Sequence, residues 1–138
     1  MEYILKLASI AFGFALITGG TTILSAATPS RITYTVAQAT QGRTVYYGKC
    51  ALCHGANLEG ISGPALKGPD SNLALQTVGA VYAYTIVQMP VGNAGGLSKS
   101  DYVHLMAFVL QNNGVPASKK PATPASLKAL EIDIGKMR

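Results

Sequence analysis

The sequence predicts an all-α fold built on three main helices, and three observations carry that prediction. Thr35-x-x-Gln38 reads as a capping box ahead of Ala39, Gly42, Val45, Tyr46 and Lys49 or Cys50, which recur at helical spacing. Ser98-x-x-Asp101 reads as a second box ahead of Tyr102, Leu105, Met106 and Val109, and Gly114 stands where that helix ends. Between them, residues 78–88 are apolar almost all round, as a helix buried on several sides would be. The 138 residues suit one folded domain, and their 49% apolar share excludes a disordered chain. Two cysteines exclude a disulfide-dense scaffold, and the length excludes a large enzyme with its own substrate domain.

Residues 1–27 read as a signal peptide, with an apolar run from Leu7 to Ile17 and the small residues Ser25-Ala26-Ala27 at a cleavage site. The competing reading is an uncleaved anchor, because no charge lies between Lys6 and Arg31. Both readings export the domain, to the periplasm in a bacterial cell. Membrane association is expected only if the segment stays attached. Residues 28–34 form a short linker. Loss of residues 1–27 removes Glu2 and Lys6, so the mature part keeps the net charge of +5. That charge speaks of partners rather than of fold.

The two cysteines sit together in Cys50-Ala51-Leu52-Cys53-His54, the pattern of c-type haem attachment. Thiols three residues apart on a helical turn face the same way and can each form a thioether to one haem edge. His54 then lies beneath the ring as the proximal iron ligand. A disulfide here would close too small a loop to stabilise much. A zinc site needs about four ligands, and the only other histidine is His104. A thioredoxin-type pair needs a βαβ setting, which the pattern lacks.

The sixth iron ligand is sought among the methionines. Met89 precedes Pro90, which forces it out of the α region at the end of a helix closing near Gln88 and frees it to reach the iron. Met106 lies mid-helix, where packing is the default role, and His104 reads as a surface histidine. Met89 is favoured over both. Residues 55–75 are rich in turn formers and read as a loop lining the haem through Leu58, Leu66 and Leu73. Residues 115–138 form a Pro-rich linker followed by Leu127, Leu130, Ile134 and Met137 at helical spacing, read as a short docking tail.

Together these residues resemble the class I cytochrome c family. Tyr47 to Gly55 matches its attachment segment, Gly63-Pro64-Ala65-Leu66-Lys67-Gly68 the loop after it, Met89-Pro90 its ligand loop and Leu97 to Gly114 its closing helix. The resemblance covers residues 35–114 and implies a small cytochrome c fold, three main helices wrapped around one covalently attached haem. It implies that the Pro64 carbonyl accepts the His54 Nδ1–H, orienting the ring and raising its basicity. It also implies a close crossing of the last helix at Gly42, which otherwise costs its helix about 1 kcal/mol against alanine. The wording is closest to small cytochromes that accompany quinoprotein dehydrogenases. The chain lacks the tryptophan that many members place near a haem propionate, for which Tyr82 and Tyr84 are the candidate substitutes.

The function implied is a mono-haem electron carrier rather than an enzyme, with Cys50 and Cys53 holding haem c and His54 and Met89 holding iron. Lys49, Lys67 and Lys99 are expected to steer redox partners with acidic docking surfaces. The lysines form no run and no nucleic-acid motif is present, so no nucleic-acid partner is expected. The alternatives are a haem-based ligand sensor or peroxidase-like enzyme with a labile sixth ligand, and a fixed subunit of a dehydrogenase or oxidase.

Overall fold

A computed structural model describes residues 34–68 and 70–137; the expected signal segment lies outside the described residues. Thr35 caps α1 (Val36–Lys49) with the complete box the sequence suggests. Its hydroxyl accepts the Gln38 amide N–H, and Gln38 Oε1 accepts the Thr35 amide N–H. The same Gln38 side chain bonds both backbone groups of Ala122, so the cap doubles as a tertiary tie. The four-residue helix α2 (Ala51–His54) follows and stops at Gly55, whose φ of 82° suits a residue without Cβ. A long loop with one 3₁₀ turn (Asn72–Leu75) leads to α3 (Val78–Gln88), capped by the Thr77 hydroxyl.

Helix α4 (Lys99–Asn112) opens on Ser98, whose hydroxyl accepts the Asp101 N–H. Only this half of the expected box forms. Asp101 is one methylene short of glutamate, and its carboxylate accepts the Ser98 hydroxyl instead of the backbone N–H. At the far end the Val115 N–H bonds Leu110 O and the Gly114 N–H bonds Gln111 O, both at 3.1 Å, with Gly114 at φ 81°. This is a Schellman closure, and Leu110 and Val115 share the core beneath it. Helix α5 (Pro124–Lys128) and a 3₁₀ turn (Ile134–Met137) complete the described chain. Among the described residues there is no strand, only an isolated bridge between Thr77 and Asp133, so the expected all-α class holds. Among them also, no helix is long and apolar enough to cross a membrane.

Helices α1 and α4 cross at Gly42. A Cβ there would stand 1.8 Å from the His104 carbonyl oxygen, so the crossing implied by the family resemblance is present. The tail after Gly114 packs onto the same core, with Leu127 and Ile134 fully buried beside Val78, Tyr82 and Leu110. Its backbone pairs with the first turn of α3 through the Gly79 N–H on Leu130 O and the Val78 N–H on Ile132 O. Burial of α3 is narrower than expected. Only Val78, Gly79 and Tyr82 are buried, while Tyr84 and Val87 are 60% and 62% exposed. The tail shields the N-terminal turn of α3 and leaves its later outward face in solvent.

Candidate functional site

Cys50 and Cys53 lie at the junction of α1 and α2, where the Cys53 and His54 amides both return to Cys50 O. The loop that follows folds back onto this turn. Gly60 N–H bonds His54 O at 2.8 Å, and the Ile61 and Gly63 amides bond Cys53 O at 3.0 and 2.9 Å. These bonds bring the Pro64 carbonyl to 2.8 Å from His54 Nδ1. A carbonyl can only accept, so Nδ1 carries the hydrogen and Nε2 keeps its lone pair. Gly63 lies flat against the imidazole: a Cβ there would come within 2.9 Å of Cε1. The ring is therefore held in one tautomer and one orientation, with only 8% of His54 exposed.

Opposite in sequence, α3 ends at Gln88 and Met89 takes extended backbone, φ −120° and ψ 151°, as the following proline requires. The Met89 N–H bonds Thr85 O, and Met89 O accepts the Tyr102 hydroxyl at 2.7 Å. The methionine is thus fixed at the head of a loop that turns through Gly92 and Gly95, both at positive φ.

All five residues singled out in the sequence, Cys50, Cys53, His54, Pro64 and Met89, line a single cavity of about 370 Å³. That volume falls in the range of about 300–1,000 Å³ found for small-molecule and cofactor sites. Leu66, Leu73, Val81, Leu105 and Val109 make most of the remaining wall apolar. Met106 lines it too, but from mid-α4 within the larger core cluster, at 3% exposure. His104 does not line it; its backbone carbonyl lies against Gly42. Leu58, expected to line the haem, is not on the cavity wall: it is fully buried in a second cluster with Tyr46, Leu105, Phe108 and Val109, at a left-handed backbone position (φ 63°). Of the three lysines expected beside the haem, only Lys49 lines the cavity, and Asp70 accompanies it there. Both candidate tyrosines, Tyr82 and Tyr84, are on the wall, Tyr82 buried and Tyr84 largely exposed.

The thiols are free, and burial, followed by the neighbouring Cys53, pushes the Cys50 thiol up to about 11. Among the described residues no group of three or more His, Cys, Asp or Glu could hold a metal ion by itself. Two thiols one turn apart, an imidazole with a free Nε2, a thioether and apolar walls fit a flat, apolar, iron-bearing macrocycle far better than a bare ion. Two wall residues escaped the sequence reading. Tyr46 donates its hydroxyl to Gly55 O at 2.6 Å, tying α1 to the residue after His54, and Tyr102 holds Met89 O. Their place in apolar stripes was legible, whereas their hydrogen-bond partners depend on tertiary contacts.

Comparison with known proteins supports a c-type cytochrome domain. The family described as "Cytochrome C oxidase, cbb3-type, subunit III" matches residues 37–109, just over half of the chain. Among solved structures, a chain of the sulfane dehydrogenase SoxCD from Paracoccus pantotrophus is similar at 28% identity and a TM-score of 0.51. The similarity covers 59% of this chain and 51% of that one, so the chain matches about half the length of its structural relative. No curated protein matches.

Proposed function

Because the chain belongs to the cytochrome c family described as cbb3-type oxidase subunit III, we propose that it is an exported mono-haem c-type cytochrome passing single electrons between redox proteins. In this reading Cys50 and Cys53 hold haem c as thioethers, His54 is the proximal ligand and Met89 the sixth. The observation that supports it most is the convergence of these four side chains on one apolar cavity with His54 Nδ1 tied to Pro64 O. When bound, haem supplies a ferric/ferrous one-electron couple. The chain does the rest. Pro64 and Gly63 hold the imidazole so that Nε2 is the donor atom. Thr85 and Tyr102 hold the Met89 backbone from two sides. The apolar wall keeps water away and, with a soft sulfur donor, favours the reduced state. Met89 is preferred to Met106 because it sits on a loop outside the packed helix.

The test is an optical spectrum of the holoprotein beside Met89→Ala, with a pyridine haemochrome. We expect a low-spin spectrum, a ferric methionine–iron band lost in the variant, and indifference to carbon monoxide. A high-spin or carbon-monoxide-binding wild type would favour the sensor or peroxidase-like reading. The similarity to a chain of a dehydrogenase also supports a second reading, in which this cytochrome works as a subunit or dedicated acceptor of such an enzyme. Co-purification separates the two.

A further inference from the structure

Asn113 is buried, at 5% exposure, although a buried amide is costly unless it is hydrogen-bonded. It stands at the C-cap of α4 and donates from Nδ2 to two carbonyls, Val109 O and Leu66 O, each at 2.9 Å. Both partners can only accept, so the amide has one possible orientation, with Nδ2 towards them. The helix end does not need this side chain. Val109 O already accepts the Asn113 N–H at 3.1 Å, while Leu110 O and Gln111 O accept the Val115 and Gly114 N–H groups. Leu66 O lies 47 residues away in sequence, and among the described residues it has no other donor. Leu66 is also the far anchor of the loop segment that carries Pro64. Gly63 is the near anchor, with its N–H on Cys53 O at 2.9 Å. Leu66 itself is held through its N–H on Leu58 O at 2.8 Å and through its carbonyl on Asn113. Pro64 lies between the anchors, has no N–H of its own, and accepts His54 Nδ1–H at 2.8 Å.

We propose that Asn113 is a positioning residue for the iron ligand: by holding Leu66 O it fixes the Pro64 carbonyl, and so the strength of the His54 Nδ1–H bond. The inference rests on the reading of His54 as the proximal ligand. A carbonyl that accepts Nδ1–H makes the imidazole a more basic donor to the metal. A more basic donor favours the ferric state, so loosening the Pro64 segment raises the midpoint potential. The end of α4 thereby acts on a ligand held by α2, through one amide and two residues of loop.

The experiment compares the holoproteins of wild type, Asn113→Asp, Asn113→Ala, Asn112→Asp and Leu127→Ala. Asn113→Asp keeps the shape of the side chain but cannot donate when ionised. Asn112→Asp puts the same charge one residue earlier, where the native amide bonds Phe108 O within the helix. Leu127→Ala removes packing at a fully buried position that does not line the cavity. One readout is the midpoint potential. The other is the NMR exchange rate of His54 Nδ1–H in the reduced state, divided by that of the buried Ala107 N–H in α4 so that global unfolding cancels. Both Asn113 variants should raise this ratio about fivefold or more, the factor one hydrogen bond contributes to an opening equilibrium. Both should also raise the potential. Asn112→Asp and Leu127→Ala should leave both readouts at wild-type values. Wild-type readouts in Asn113→Ala would overturn the proposal. Equal shifts in Leu127→Ala or Asn112→Asp would do so too, because Asn113 would then be a merely stabilising residue. Should Asn113→Asp fail to fold, Asn113→Ala adds no charge and carries the same comparison. A wild-type spectrum with His54 off the iron would sink the ligation reading. The nitrogen shifts of the His54 ring, which report the tautomer that Pro64 O imposes, would still judge the tie: they should move in Asn113→Ala and not in Leu127→Ala, and the reverse would overturn it.

Discussion

Alanine substitutions at two glycines of α1 should move stability in opposite directions. At Gly42 a new Cβ would meet His104 O at 1.8 Å, His104 C at 2.4 Å and Phe108 Cβ at 2.9 Å. The first two are backbone atoms of α4, which no rotamer change can move. Carbon–oxygen contacts run at about 3.3 Å or more, so the helices must part by roughly 1.5 Å along their main contact. Overpacking of this kind costs about 1–3 kcal/mol, and parting two helices lies at the upper end. The gain in helix propensity returns about 1 kcal/mol. A net loss of about 2 kcal/mol corresponds to a fall in Tm of about 10 °C for a domain of this size. At Gly48 nothing lies within 4 Å of the same added atom, and the residue is exposed. There only the propensity term acts, and Gly48→Ala should gain about 0.5–1 kcal/mol. Thermal unfolding of the holoproteins by far-UV circular dichroism reads both. A Gly42→Ala protein that melts at or above wild type would refute the reasoning, as would two variants that shift the same way.

Three further outcomes are expected. Burial above all pushes the Tyr46 hydroxyl up to about 12. A phenol that ionises at about 10 when unfolded stabilises the fold fully below that pH and loses this contribution as pH rises through about 12. Urea unfolding across this window should show stability falling more steeply in wild type than in Tyr46→Phe. Tyr102→Phe leaves Met89 O without its hydroxyl partner, at a cost of about 1 kcal/mol; under the proposed Met89 ligation, the methionine–iron band should vanish at lower pH in an alkaline titration than it does in wild type. Leu127→Ala empties a fully buried position between the tail and the core and should cost about 2–5 kcal/mol in denaturant unfolding.

Much of this arrangement was legible because it is written locally. The Thr35 cap, the end of α3 before Met89-Pro90, the Gly114 closure and the Cys-x-x-Cys-His turn each depend on residues within a few positions of one another, and each stands where expected. What escaped depends on distant parts of the chain. Leu58 counts as a loop residue in sequence, and its burial against Tyr46, Leu105, Phe108 and Val109 depends on residues from both α1 and α4. The apolar run of α3 implied burial all round, yet how much is covered depends on where the tail lands, more than forty residues later. The Ser98 box failed by one methylene, a detail of reach that pattern matching ignores. The hydroxyl partners of Tyr46 and Tyr102 are backbone carbonyls, which every residue has and no sequence pattern marks.

Tyr34 is fully buried, its hydroxyl bonds Val115 O, and its own carbonyl accepts the Ser118 N–H, while Gln38 clasps Ala122 four residues further on. The incoming chain is thus sewn to the outgoing one. A pull on residue 34 is shared between α1, which follows it in the chain, and the C-terminal end of α4 with the tail, through several hydrogen bonds at once. The far end of α4 and the tail therefore share any load that reaches residue 34, and α1 does not carry it alone towards Cys50.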